Sequence, residues 1–200
     1  MKEMRVVLPS IERPKKLPVV LSRNEVRQLL KAPKLLKHRL VLAMLYGCGL
    51  RSFELCNLQL KDLDLERKML HVRQGKGRKD RYVPLCAMQV RGLRKYISAE
   101  RPVTWCFNGN DSKGDPVALS TTGVQWIVRE ARKHSGIQKE VTTHSLRHSY
   151  ATHLLEMGLD IISVKDLLGH ADIQTTLTYL HVAQLGRQRP FSPLERLYNK

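Results

Sequence analysis

No stretch of this sequence approaches the ~20 consecutive apolar residues that a bilayer-spanning helix requires. Its opening, Met1-Lys2-Glu3-Met4-Arg5, lacks the apolar segment of a signal peptide. A membrane is therefore not an expected partner. Cys48, Cys56, Cys86 and Cys106 are scattered without a CxxC pair, and two of them sit among apolar residues. That pattern argues against a zinc finger or a disulfide framework and for reduced, packed thiols in a cytosolic protein. Internal repeats and low-complexity segments are also missing. The most informative shortage is of acid: eighteen Asp and Glu stand against thirty-five Lys and Arg, for a net charge of +17 and a pI near 10.1. Such an excess favours a polyanionic partner, nucleic acid being the commonest, with a merely basic structural protein as the plainer alternative. The 200 residues suit one domain with a proper core and an arm at either end.

The first twenty residues carry Pro9, Pro14 and Pro18 among Arg13, Lys15 and Lys16, and read as an extended basic linker. Folding is predicted to begin at Ser22-x-x-Glu25, a capping box for a short helix that stops before Pro33. The next helix, 35–46, is apolar almost all round and should be the central buried one. Gly47 and Gly49 end it, and Arg51 opens another. Arg51 is either a surface arginine paired with Glu54 at i, i+3 or a ligand-facing group beside a glycine bend; spacing leaves both open. From Asp62 to Leu85 the period becomes alternating, which predicts a small antiparallel sheet whose last hairpin turns through Gln74-Gly75-Lys76-Gly77-Arg78. A helix over 87–98, a loop over 101–120 with a short buried piece at Trp105-Cys106-Phe107, and a helix over 120–134 follow. The last of these turns Arg129, Arg132 and Lys133 outward, a face suited to a DNA backbone or simply to solvent.

The densest signal lies further on. Thr142 or Thr143 can cap a helix whose first turn carries His144 and Arg147 three positions apart, so that both aim from one face at one anion. Gly158 should stop that helix, Asp160 should cap a second through Leu168, and Gly169 should stop it and leave His170 at a helix end. Asp172 should cap a third short helix that carries Tyr179. His144, His148 and His153 could alternatively ligate zinc, although no Glu follows His144 to complete an HExxH pattern. Tyr179, taken alone, could be an ordinary core or surface tyrosine.

Together, Gly49-Leu50-Arg51-x-x-Glu54-Leu55, Gly75-Lys76-Gly77 with Val83-Pro84-Leu85, His144-x-Leu146-Arg147-His148, Leu168-Gly169-His170 and then Tyr179 resemble the catalytic domain of tyrosine recombinases. This is the phage integrase family, and its Xer-like bacterial branch is the nearest. The resemblance spans about Ser22 to Val182. It implies a mainly α fold with a small three-stranded antiparallel sheet, a catalytic domain over 22–185, and a C-terminal tail over 186–200 that could dock on a neighbouring protomer. Only the linker precedes Ser22, so the family's usual N-terminal core-binding domain is expected to be absent.

The implied chemistry is metal-free and ATP-free transesterification on double-stranded DNA, without cofactor, in a synapse of four protomers in the bacterial cytoplasm. Tyr179 would attack the scissile phosphate and hold it as a 3′-phosphotyrosine. Arg51 and Arg147 would fork onto the non-bridging oxygens, with His170 adding a third hydrogen bond. His144 would accept the tyrosine's proton, Lys76 would give one to the departing 5′-oxygen, and Glu54 would orient the arginine and histidine. Arg78, Lys79, Arg129, Arg132 and Lys133 would contact the DNA backbone. A type IB topoisomerase-like strand relaxation and a non-catalytic DNA-binding fragment are the competing expectations.

Overall fold

The computed structural model describes residues 18–73, 80–111, 113–180 and 182–183. The predicted capping box is present: Ser22 Oγ accepts the Glu25 N–H at 3.2 Å, and the Glu25 carboxylate accepts the Ser22 N–H at 2.7 Å. It starts α1 (Arg23–Lys31), which buries Val26 and Leu29. Helix α2 (Leu36–Gly47) buries Leu40, Val41, Leu42, Met44 and Leu45. A helix apolar on most of its circumference needs neighbours on every side. It finds them in α1, α3 (Ser52–Cys56), α4 (Ala87–Glu100), α5 (Thr121–Ser135) and α6 (Thr143–Glu156), so it is the central element expected.

A 3-10 turn over Leu60–Asp62 leads into an antiparallel sheet of β1 (Leu63–Asp64), β2 (Met69–Val72) and β3 (Arg81–Pro84), in that order. Leu70 lies opposite both Leu63 and Val83, and Leu70, Val72 and Val83 are buried. The period of two thus places one face of the sheet in the core. The turn predicted through Gln74 to Arg78 lies outside the described residues, and with it Lys76, Arg78 and Lys79; so do the linker up to residue 17 and the tail from residue 184.

The loop expected over 101–120 contains a two-stranded ribbon, β4 (Asn108–Asn110) against β5 (Pro116–Ala118). Its Gly, Asn and Pro content disguises it, because a side chain joins backbone bonds between Asp111, Gly114 and Asp115 in closing the turn. Asp111 Oδ1 accepts the N–H groups of both Lys113 and Asp115 at 2.8 Å. Cys106 and Phe107 are buried just ahead of the ribbon, as predicted.

Two caps and, in place of the cap expected at Asp172, an Asx turn one residue ahead of the helix set out the C-terminal third. Thr142 Oγ1 accepts the Ser145 N–H at 3.1 Å and opens α6. Asp160 accepts the Ser163 N–H at 2.9 Å and opens α7 (Ile161–Leu168), which Gly169 ends at φ +61°. Asp172 accepts the Gln174 N–H at 3.0 Å ahead of α8 (Gln174–Leu177). That last helix is only four residues long, and Tyr179 lies just beyond it rather than on it. Thr175, Thr176 and Thr178 are poor helix formers, and the Thr178 hydroxyl donates back to Thr175 O at 2.9 Å. Tyr150, Ala151, Leu155, Val164, Leu168 and Tyr179 form a second apolar cluster beside the main core. Among the described residues, no helix is long and apolar enough to cross a membrane.

Candidate active site

Three arginines converge on the end of α7. Arg147, 3% exposed on α6, donates through Nη2 to Leu168 O at 2.5 Å and through Nη1 to Gly49 O. Gly49 is required for that carbonyl to be there: its φ is +58°, and a Cβ would stand 2.5 Å from Cδ1 of Tyr150. Arg51, at the start of α3, donates through Nη1 to Glu54 at 2.8 Å and reaches Leu168 O at 3.5 Å. Arg81, the first residue of β3, grips both Glu54 oxygens at 2.8 Å and donates through Nε to Leu167 O at 2.8 Å. The last carbonyls of α7, at the negative end of its dipole, therefore anchor all three side chains.

One carboxylate faces three guanidiniums, so the cluster is left strongly positive. Burial pushes the Glu54 carboxyl up, but the bond and charge of Arg81 overcome that and hold it at about 2. Burial and the neighbouring Arg51 lower Arg147 to about 10, only partly offset by Glu54. A site of this kind stabilises an anion, and two guanidinium forks suit the non-bridging oxygens of a phosphate.

The histidines and the tyrosine complete the site. His170, immediately after Gly169, pairs through Nδ1 with Thr176 Oγ1 at 2.9 Å. Burial, then Arg147, Arg51 and Arg81, lower it to about 3, so it is a neutral hydrogen-bonding group at ordinary pH. Tyr179 is 3% exposed, and its ring lies nearly parallel to that of His170 with centroids 6.3 Å apart. Its hydroxyl pairs with His148 Nδ1 at 3.0 Å. Burial pushes this phenol up while Arg147 and Arg51 pull it down.

Arg51, Glu54, Arg147, His170 and Tyr179 are thus brought into one cluster. His144 stands exposed at its rim, its ring 6.3 Å from that of His148. Arg129 joins Arg51, Phe53, Gln125 and His144 in lining an adjoining cleft of about 710 Å³. Arg132 and Lys133 do not line it; Arg132 instead donates to Gln138 O at 3.1 Å. The zinc alternative fails on geometry: His153 Nδ1 pairs with Tyr46 Oη at 2.9 Å, and the described residues contain no group of three potential ligands. The sequence does not single out Arg81 or Thr176, and it offers His148 as a member of the resemblance motif and as an alternative metal ligand, with no catalytic role. Their roles come from contacts with residues 6 to 86 positions away, which no local pattern announces.

Residues 19–185 match the phage integrase family. The chain belongs to that family. Tyrosine recombinase XerA of Thermococcus kodakarensis is 41% identical over 171 residues, which cover 84% of this chain and 60% of that protein. The crystal structure of XerA recombinase superposes with a TM-score of 0.79 at 32% identity, covering 92% of this chain and 68% of that one. A post-cleavage complex of XerH site-specific recombinase with palindromic difH substrate gives a TM-score of 0.71 at 27% identity, covering 84% and 51%. The chain spans about 60% of the length of the XerA sequence it matches. The phage integrase match runs from ahead of α1 to beyond Tyr179, so every residue of the cluster falls within it.

Proposed function

We propose that this chain is the catalytic part of a site-specific recombinase that cleaves and rejoins double-stranded DNA through a 3′-phosphotyrosine at Tyr179. The observation that carries this reading is the placement of a buried tyrosine hydroxyl within the field of two arginines that, among the described residues, pair with no carboxylate but the shared Glu54. Arg51 and Arg147 would neutralise the scissile phosphate, doing the work of a metal ion, and His170 would donate a further hydrogen bond to it. Glu54 holds Arg51 in place. Lys76 would protonate the departing 5′-oxygen, and Arg129 in the adjoining cleft would hold the DNA backbone with Arg78, Lys79, Arg132 and Lys133. The phosphodiester energy is conserved in the tyrosyl ester, so rejoining needs no ATP. Exchange between two duplexes would take place in a homotetramer.

The test is a nicked duplex drawn from the DNA flanking this gene, incubated with wild type or Tyr179→Phe in EDTA and resolved on a denaturing gel. A covalent adduct with wild type alone is expected. An adduct that survives in Tyr179→Phe, or disappears in the chelator, would overturn the reading. Relaxation of supercoiled plasmid without exchange between sites would instead point to a topoisomerase-like activity.

A further inference from the structure

A tyrosine hydroxyl becomes an effective nucleophile only when something takes its proton, and the base must lie within hydrogen-bond reach of the oxygen. Motif order nominates His144 for that task. In the folded chain His144 is exposed, whereas His148, one turn further along α6, is the residue whose Nδ1 lies 3.0 Å from Tyr179 Oη. The two rings are 5.5 Å apart at 51°, which fits an in-plane nitrogen pointing at the hydroxyl rather than a stacked pair.

Resting on the reading of Tyr179 as nucleophile, we infer that His148 is a catalytic residue of the cleavage step, its Nδ1 receiving the phenolic proton as Tyr179 attacks. In that step the Tyr179 O–H bond breaks and the Nδ1–H bond of an imidazolium forms. The phenolic oxygen bonds to phosphorus, and the bond from phosphorus to the 5′-oxygen breaks, that oxygen taking its proton from Lys76 or from solvent. Rejoining runs the same transfers backward, with the imidazolium returning its proton to the phenol.

The surroundings suit the role. Burial, then the neighbouring charges of His144 and Arg147 on the same helix, keep His148 below its ordinary 6.5, so its lone pair is free at neutral pH. His170 at the end of α7 is neutral as well, and the fixed charges on that side are the guanidiniums of Arg147, Arg51 and Arg81, which oppose a second positive charge there. The buried phenol has no tendency to ionise unaided at neutral pH, since burial outweighs the two arginines.

The experiment is single-turnover cleavage of the nicked duplex from mildly acidic to mildly alkaline pH, with wild type, His148→Asn, His144→Asn and Tyr179→Phe. Asparagine can still accept a hydrogen bond near the Nδ1 position but cannot carry the proton away. His148→Asn should cleave at least about 100-fold more slowly while binding the duplex as tightly and melting at the same temperature. The acid limb of the wild-type profile, lying below pH 6.5, should vanish in His148→Asn and persist in His144→Asn. The defect should also persist on a duplex with a 5′-bridging sulfur, which leaves without a proton, because only the attacking side is impaired. Cleavage by His148→Asn within about threefold of wild type, or loss of the acid limb in His144→Asn alone, would overturn the inference.

Should His148→Asn fail to fold, nitrogen NMR of the wild-type protein decides: a neutral His148 protonated on Nε2 supports the inference, and a proton fixed on Nδ1 refutes it. An adduct formed by Tyr179→Phe would bring down the nucleophile assignment itself. An unaffected His148→Asn beside an inert Tyr179→Phe would bring down only the role of His148.

Discussion

Replacing Glu54 with Gln removes the one negative charge among Arg51, Arg81 and Arg147 while keeping the volume. A carboxyl moved from its ordinary 4.5 to about 2 corresponds, at about 1.36 kcal/mol per pH unit, to about 3 kcal/mol of native-state stability at neutral pH. The cost of breaking a buried ion pair by deleting one partner falls in the same range, roughly 3–5 kcal/mol. For a domain of this size about 3 kcal/mol lowers the melting temperature by about 6–12 °C. The pH dependence supplies the sharper check. Because the folded carboxyl titrates below the unfolded one, its contribution is complete above about pH 4.5 and is lost as pH falls towards 2. Thermal unfolding of wild type and Glu54→Gln should therefore differ most near neutrality and converge in acid. Sulfate should raise the melting temperature of the variant more than that of wild type, since the uncompensated guanidinium charge can take an anion. A loss of less than about 2 °C at neutral pH, or a gap that stays constant into acid, would refute the account of Glu54 as the counter-charge of the cluster.

Gly49→Ala should destabilise by about 2–4 kcal/mol, combining the left-handed backbone penalty with the clash against Tyr150, as read by denaturant unfolding. Because the Gly49 carbonyl also holds Arg147, the same variant should lose cleavage at temperatures where it remains folded. Thr176→Val keeps the shape of a fully buried residue but removes the hydroxyl paired with His170 Nδ1. It should lower single-turnover cleavage by about tenfold, the rate equivalent of one hydrogen bond of about 1.4 kcal/mol, with DNA binding unchanged in a filter-binding assay.

What the sequence announces here is local. The caps at Ser22, Thr142 and Asp160 each bond a partner three residues away, and all three were legible as spacing. The apolar circumference of α2 and the alternation through Leu70, Val72 and Val83 likewise follow from period alone. The ribbon at Asn108 and Pro116 was not legible, because its turn depends on one Asp111 oxygen accepting two N–H groups rather than on apolar alternation. The site divides in the same way. Motif order brought Arg51, Glu54, Arg147, His170 and Tyr179 forward, but motif order carries no distances. That Arg81 rather than solvent would pair with Glu54, 27 positions away, follows only once β3 lies against α7. That His148 rather than His144 would reach Tyr179 depends on which side of α6 the chain returns to after α8.

The anchoring of Arg51, Arg81 and Arg147 on the last carbonyls of α7 turns that helix into a ruler. Its first turn is pinned by the Asp160 cap and its end by Gly169, with eight residues between. Each residue of an α-helix advances about 1.5 Å and turns about 100°. One residue inserted or deleted between the cap and the glycine would swing the final carbonyls about 100° away from the guanidiniums and carry His170 round with them. Insertions and deletions along this part of the chain should therefore be confined to the segment before Asp160 or to the turn after His170, where length can change without turning the end of α7.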